Sequence, residues 1–140
     1  TALDVTIQAQ ILDLINRLKE RVGSAILLIT HNLGVVAEVA QYVGVMYAGY
    51  IVEYADVIHL FKEPKHPYTV GLFQSIPKKR SAEKRERLQA IPGLVPDLLE
   101  LPGGCKFQDR CSRVLKRCRD EAPPLLNLGD NHQVRCWLYE

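Results

Sequence analysis

Apolar residues at Ile11, Leu14, Ile15, Leu18 and Val22 recur at the spacing of one helical face. Gln8, Asp13, Arg17, Lys19 and Glu20 fall on the other face. The pattern predicts a helix over 5–22, with Gly23 as its C-terminal cap. Residues 25–30 read Ala-Ile-Leu-Leu-Ile-Thr, apolar on both alternating faces. Such a run suits a strand buried within a parallel sheet. A short helix is expected over 33–40 and a strand over 43–48. After Gly49, residues 50–54 read as the return strand of a hairpin. Two more helices are expected over 55–63 and 67–76, with Pro67 in a first turn, where its missing N–H costs nothing.

Helix, buried strand, helix and strand in that order predict an α/β fold. Three visible strands make a poor free-standing core, so the sequence reads as a piece of something longer whose preceding part completes the sheet. The opening Thr1-Ala2-Leu3-Asp4 fits that expectation. Composition shifts at Lys78, where residues 78–87 (KKRSAEKRER) carry six basic and two acidic side chains and are locally +4. Residues 91–104 are rich in Pro and Gly and are expected to be packed loop. A boundary is therefore expected near residue 78, separating 1–77 from a basic linker and Cys-rich extension over 78–140.

The composition as a whole adds little. Of 140 residues 47% are apolar and 24% charged, and the net charge is +2, which gives no reason to expect wholesale nucleic-acid binding. The longest uncharged stretch, 22–37, contains Ser24, Thr30, His31 and Asn32, too short and too polar for a membrane-spanning helix of ~20 apolar residues. The basic run is expected to be a solvated linker, since its glutamates dilute the field and no aromatic side chains interleave.

Three places could carry chemistry. Thr1 and Asp4 suit a helix N-terminus, one as a cap and the other at the positive end of the dipole. Thr30-His31-Asn32 follows the expected strand, and ligands of open α/β sheets bind beyond the carboxyl ends of strands. An imidazole there can donate to a phosphate oxygen, while Asn32 can cap the next helix. Cys105, Cys111, Cys118 and Cys136 are spaced C-x5-C-x6-C-x17-C in a stretch with little apolar material, a unit that usually needs a staple. Zinc favours tighter knuckles, and iron–sulfur spacings vary, so spacing leaves a cluster, zinc and unligated thiols all open. This leaves one alternative function, a four-cysteine metal or iron–sulfur module contacting nucleic acid.

Taken together, these motifs resemble the end of an ABC-transporter nucleotide-binding domain. Thr1-Ala2-Leu3-Asp4 resembles the D-loop and Thr30-His31 the switch-histidine motif. The likeness continues through Met46-Tyr47-Ala48-Gly49-Tyr50-Ile51-Val52-Glu53, Lys65-His66-Pro67-Tyr68-Thr69, Ile91-Pro92-Gly93 and Leu101-Pro102-Gly103-Gly104-Cys105, and narrows to the ATP-binding subunits of oligopeptide and dipeptide importers. The resemblance implies the C-terminal part of an ABC-type P-loop nucleotide-binding domain followed by a small loop-rich Cys extension. It implies an ATPase using ATP with Mg, in which His31 contacts the terminal phosphate and Asp4 organises the interface with a second ATPase subunit. It further implies transmembrane permease subunits, a peptide-binding protein acting indirectly, no nucleic acid, and a peripheral place on the cytoplasmic face of the cell membrane. For Cys105, Cys111, Cys118 and Cys136 it implies ligation of a 4Fe-4S cluster, with zinc as the alternative and His132 structural. Asn32 stands where the family usually has aspartate, Tyr50 where it has a basic residue and Ala55 where it has glycine. With no G-x-x-x-x-G-K-[ST] loop in these 140 residues, they are not expected to hydrolyse ATP alone.

Overall fold

The computed structural model describes residues 5–76 and 90–140, in two compact units that divide between Gln41 and Tyr42. The Thr1-Ala2-Leu3-Asp4 motif and the basic run 78–87 lie outside the described residues. The compact units do not divide near residue 78 as expected, because residues on either side of it share one sheet and one core.

In the first unit, α1 (Val5–Val22) ends at Gly23, whose φ of 64° suits a left-handed cap and whose N–H donates to the Lys19 carbonyl at 2.9 Å. The helix α2 (Leu33–Val39) begins at Asn32, whose side-chain oxygen accepts from the N–H groups of Gly34 and Val35. Between the two helices the expected buried strand is absent. Residues 24–30 carry no strand pairing, and Leu27 and Ile29 are 89% and 90% exposed. A strand exists through hydrogen bonds to a neighbour, and none of the described residues supplies one here. The apolar stripe of α1 is where periodicity placed it, yet Ile11, Leu14 and Leu18 are also exposed.

The second unit is built on a hairpin of β1 (Tyr42–Tyr47) and β2 (Tyr50–Asp56). Its two-residue turn, Ala48-Gly49, has positive φ at both positions, the geometry whose twist matches the flanking strands. Two short strands, β3 (Leu126–Asn127) and β4 (Gln133–Val134), extend the sheet in the antiparallel order β1-β2-β4-β3. The fold is thus α/β with a small antiparallel sheet. Helices α3 (Val57–Lys62) and α4 (Pro67–Gln74) follow the hairpin, capped by Asp56 and His66, and the four-residue α5 (Arg117–Asp120) lies further on.

A register shift in the hairpin pairs Val45 with Glu53 but Met46 with Ile51, leaving Val52 as the extra residue of a bulge. Consecutive side chains Val52 and Glu53 are therefore both buried. Val52 joins Tyr47 and Phe107 in the core, with Tyr68, Ile91, Cys105 and Cys111 packed against them. The Tyr47 and Phe107 rings meet edge to face at 5.1 Å.

Glu53, wholly buried, takes its partners from two distant segments. Oε1 accepts from the Lys65 N–H and from His132 Nε2, each at 2.7 Å, and Oε2 from the His66 N–H at 2.9 Å. Beside it, His66 Nδ1 accepts from the Tyr68 N–H at 3.0 Å, and its other ring nitrogen faces the Arg135 carbonyl. These partners describe a neutral imidazole, and burial lowers the His66 pKa to about 4. The C-terminal segment is stitched on by further bonds: the Arg135 N–H to the Val52 carbonyl at 2.8 Å, Arg135 Nε to the Ile51 carbonyl at 3.0 Å, and the Tyr139 hydroxyl to the Lys65 carbonyl at 2.8 Å.

Two outcomes are expected. Glu53→Ala strands three buried donors and should cost about 3–5 kcal/mol in denaturant unfolding, with Glu53→Gln, which keeps one acceptor, losing less. The unfolded chain protonates His66 near its ordinary value while the folded chain holds it neutral down to about 4. Its contribution is thus complete above the ordinary value and lost as pH falls from there towards 4, by an amount on the order of 3 kcal/mol. Unfolding measured across that window should show a steeper fall for the natural chain than for His66→Gln.

Candidate functional site

His31 sits on the first unit, at the junction between the extended run 24–30 and α2, and is exposed. Its two neighbours are both tied into the turn. The Thr30 hydroxyl oxygen accepts from the Asn32 N–H at 3.0 Å, and Asn32 Oδ1 accepts at 3.0 Å from the Gly34 N–H and at 3.3 Å from the Val35 N–H. Asn32 performs the capping for which its residue type is suited, and this is done equally well by aspartate. Thr30 and Asn32 thus hold the backbone while the imidazole is presented to solvent, so His31 is not a packed core histidine. Asp4, expected to act with it, lies outside the described residues.

The second unit holds the four cysteines, all as free thiols, with Cys118 and Cys136 buried and Cys105 and Cys111 half-buried. The Cys105 N–H donates to the Cys118 carbonyl at 2.8 Å, bringing two of the four segments together. Gly104 makes that approach feasible, since a Cβ there would lie 2.2 Å from the Cys118 carbonyl oxygen. Burial raises the pKa of Cys105 and Cys111 and pushes Cys136 up to about 11, with the other three thiols each adding a smaller push on Cys136. All four sulfurs therefore share one electrostatic neighbourhood. Burial thus favours the protonated form of Cys105, Cys111 and Cys136.

Four thiols without an oxygen donor are a set suited to soft metals or an iron–sulfur cluster. The geometry supplies less than the chemistry. Among the described residues no three His, Cys, Asp or Glu side chains are arranged to hold a metal ion, so neither the expected 4Fe-4S cluster nor its zinc alternative meets a preformed site there. His132, which follows the third cysteine in sequence, is committed to Glu53 and is structural.

Sequence reading passed over Glu53 as a positioning residue. The available signal was a carboxylate inside the apolar run Ile51-Val52-Glu53-Tyr54-Ala55, which solvation alone does not explain. Through the neighbouring His66, whose ring lies 5.7 Å from that of Phe107, the node supports the loop bearing Cys105. No helix among the described residues is long and apolar enough to cross a membrane.

Comparison with known proteins bears on both units. Residues 52–118 match the model of the oligopeptide/dipeptide transporter C-terminal region. A protein of Brucella ovis named as a peptide import ATP-binding protein is 51% identical over 140 residues, covering 97% of this chain and 41% of that protein. The oligopeptide transport ATP-binding protein OppD of Bacillus subtilis is 49% identical over 138 residues, covering 99% of this chain and 38% of its own length. The dipeptide transport ATP-binding protein DppD of Escherichia coli is 46% identical over 136 residues, 97% of this chain and 41% of its own. The chain spans about two fifths of the length of these relatives. Along nearly its whole length the chain is similar to oligopeptide and dipeptide transport ATP-binding proteins, and its residues 52–118 match the C-terminal region of that transporter family.

Proposed function

We propose that the chain is part of the ATP-binding and ATP-hydrolysing subunit of an ABC importer for di- or oligopeptides. The observation that carries this is similarity at 46–51% identity over nearly the whole chain to proteins named for peptide transport and ATP binding. Local geometry agrees with it. His31 is exposed on a turn braced on both sides, at the end of an apolar run whose uncovered faces suit a place inside a larger sheet. Those faces would be covered by the remainder of the nucleotide-binding domain, which would also supply the phosphate-cradling loop.

In this reading ATP with Mg lies between two ATPase subunits. Phosphoryl transfer depends mainly on positioning and on charge stabilisation at the phosphate oxygens. His31 would donate a hydrogen bond to the terminal phosphate, with Thr30 and Asn32 fixing the backbone from which it reaches. Asp4 would couple the two half-sites. Nucleotide binding and hydrolysis would drive permease subunits in the membrane, with a peptide-binding protein delivering cargo and the ATPase peripheral on the cytoplasmic face. The nucleic-acid alternative has no observation behind it in the fold or in the relatives.

Cys105, Cys111, Cys118 and Cys136 are proposed as the ligands of a 4Fe-4S cluster, supported by their all-thiol donor set and shared neighbourhood. Such a group would staple segments that otherwise share little apolar core.

Two measurements test these readings. In the full-length protein, His31→Ala should lower ATP turnover by about 100-fold while leaving nucleotide affinity within a few fold; turnover near the unsubstituted rate removes His31 from the mechanism. Anaerobically purified protein should be coloured and contain iron and labile sulfide, both lost in Cys118→Ser. A colourless preparation without iron overturns the cluster assignment.

A further inference from the structure

A cleft of about 360 Å³ opens on the second unit between α4, residues 90–92 and the 3-10 turn Gln108–Arg110. Its volume lies within the range of small-molecule sites. The floor is apolar, with Val70, Ile91 and Phe107. Its wall carries Lys65, Arg110 and Arg113, and no carboxylate lines it among the described residues.

The cations of this wall have no carboxylate among the residues lining the cleft to neutralise them. Elsewhere on the same unit Arg117 is neutralised by Glu121 and Glu140, and at the cleft's margin Lys65 meets Glu63. Among the described residues neither Arg110 nor Arg113 has an ion-pair partner. Arg110 is held in place all the same. Its Nε donates to the Pro92 carbonyl at 2.9 Å and its Nη2 to the Ile91 carbonyl at 3.3 Å. Gly93, at φ 76°, turns the chain so closely past Arg110 that a Cβ would lie 3.2 Å from the arginine Cγ. Two bonds leave Nη1 and one N–H of Nη2 uncommitted on a guanidinium already fixed in orientation. A donor whose ordering is complete before binding loses little entropy when an anion arrives. Cations set over an apolar floor also bind oxyanions more strongly than the same groups in open water.

We propose that this cleft binds a small organic oxyanion, its phosphate or carboxylate head on Arg110 and Arg113 and its apolar body on Val70, Ile91 and Phe107. The inference is independent of the transport reading and stands or falls without it.

The test is calorimetric titration of the full-length protein with phenyl phosphate, benzoate and inorganic phosphate. Saturating Mg-ADP keeps the probes out of any nucleotide site. At least one aromatic probe should bind more tightly than inorganic phosphate, by about fivefold or more, because it alone covers the apolar floor. The tighter of the two aromatic probes identifies the head group. Arg113→Gln leaves the Arg110 contacts intact and should weaken binding about tenfold. Gln74→Glu, which adds a carboxylate to an exposed position on the wall, should also weaken it. The proposal is overturned by no heat from any probe up to about 10 mM. It is equally overturned by inorganic phosphate binding as tightly as the aromatic probes, or by affinity that both substitutions leave unchanged.

Discussion

A single buried carboxylate governs how the second unit is assembled. Glu53 has no access to water, and an ionised carboxylate in that position is tolerable only if its lone pairs are taken up. The donors come from the chain just before α4 and from His132, 79 residues further on. Because the cost of leaving Glu53 unpaired is large, the hairpin, the approach to α4 and the C-terminal segment are bound to one arrangement. The β-bulge at Val52 is what allows it, since a regular strand would send Val52 and Glu53 to opposite faces with only one of them inward.

Much of the remaining architecture follows from this node. Of the apolar side chains in residues 105–140, those buried are Phe107, Cys118, Val134, Cys136 and Trp137. They are held by polar contacts to the hairpin and by Arg117 stacked 3.6 Å above the Trp137 ring. The four thiols inherit their common neighbourhood from that scaffold. The first unit is a contrasting case. Its helices carry caps at Gly23 and Asn32, but its apolar surfaces face outward and its extended run has no partner among the described residues.

The two regions also divide the chemistry. An exposed imidazole on a braced turn suits contact with a ligand that arrives between larger bodies. A cleft with a fixed guanidinium and an apolar floor suits a small ligand held by one unit alone. The first depends on surfaces beyond the described residues, whereas the lining of the second comes from one unit.

Local structure was legible wherever it depends on near neighbours in the chain. The stripe of α1, the Gly23 cap, Asn32 at the head of α2, Pro67 in the first turn of α4 and the Ala48-Gly49 turn are all set by backbone preference and short-range periodicity. The run 25–30 was legible only as apolar. Whether it is a strand is decided by hydrogen bonds to another segment, and periodicity cannot report those. The burial of Glu53, its bond to His132 and the union of residues on both sides of position 78 likewise depend on contacts across long loops. Such contacts are set by which distant donors can satisfy a desolvated acceptor, a property of the folded chain and of no window along it.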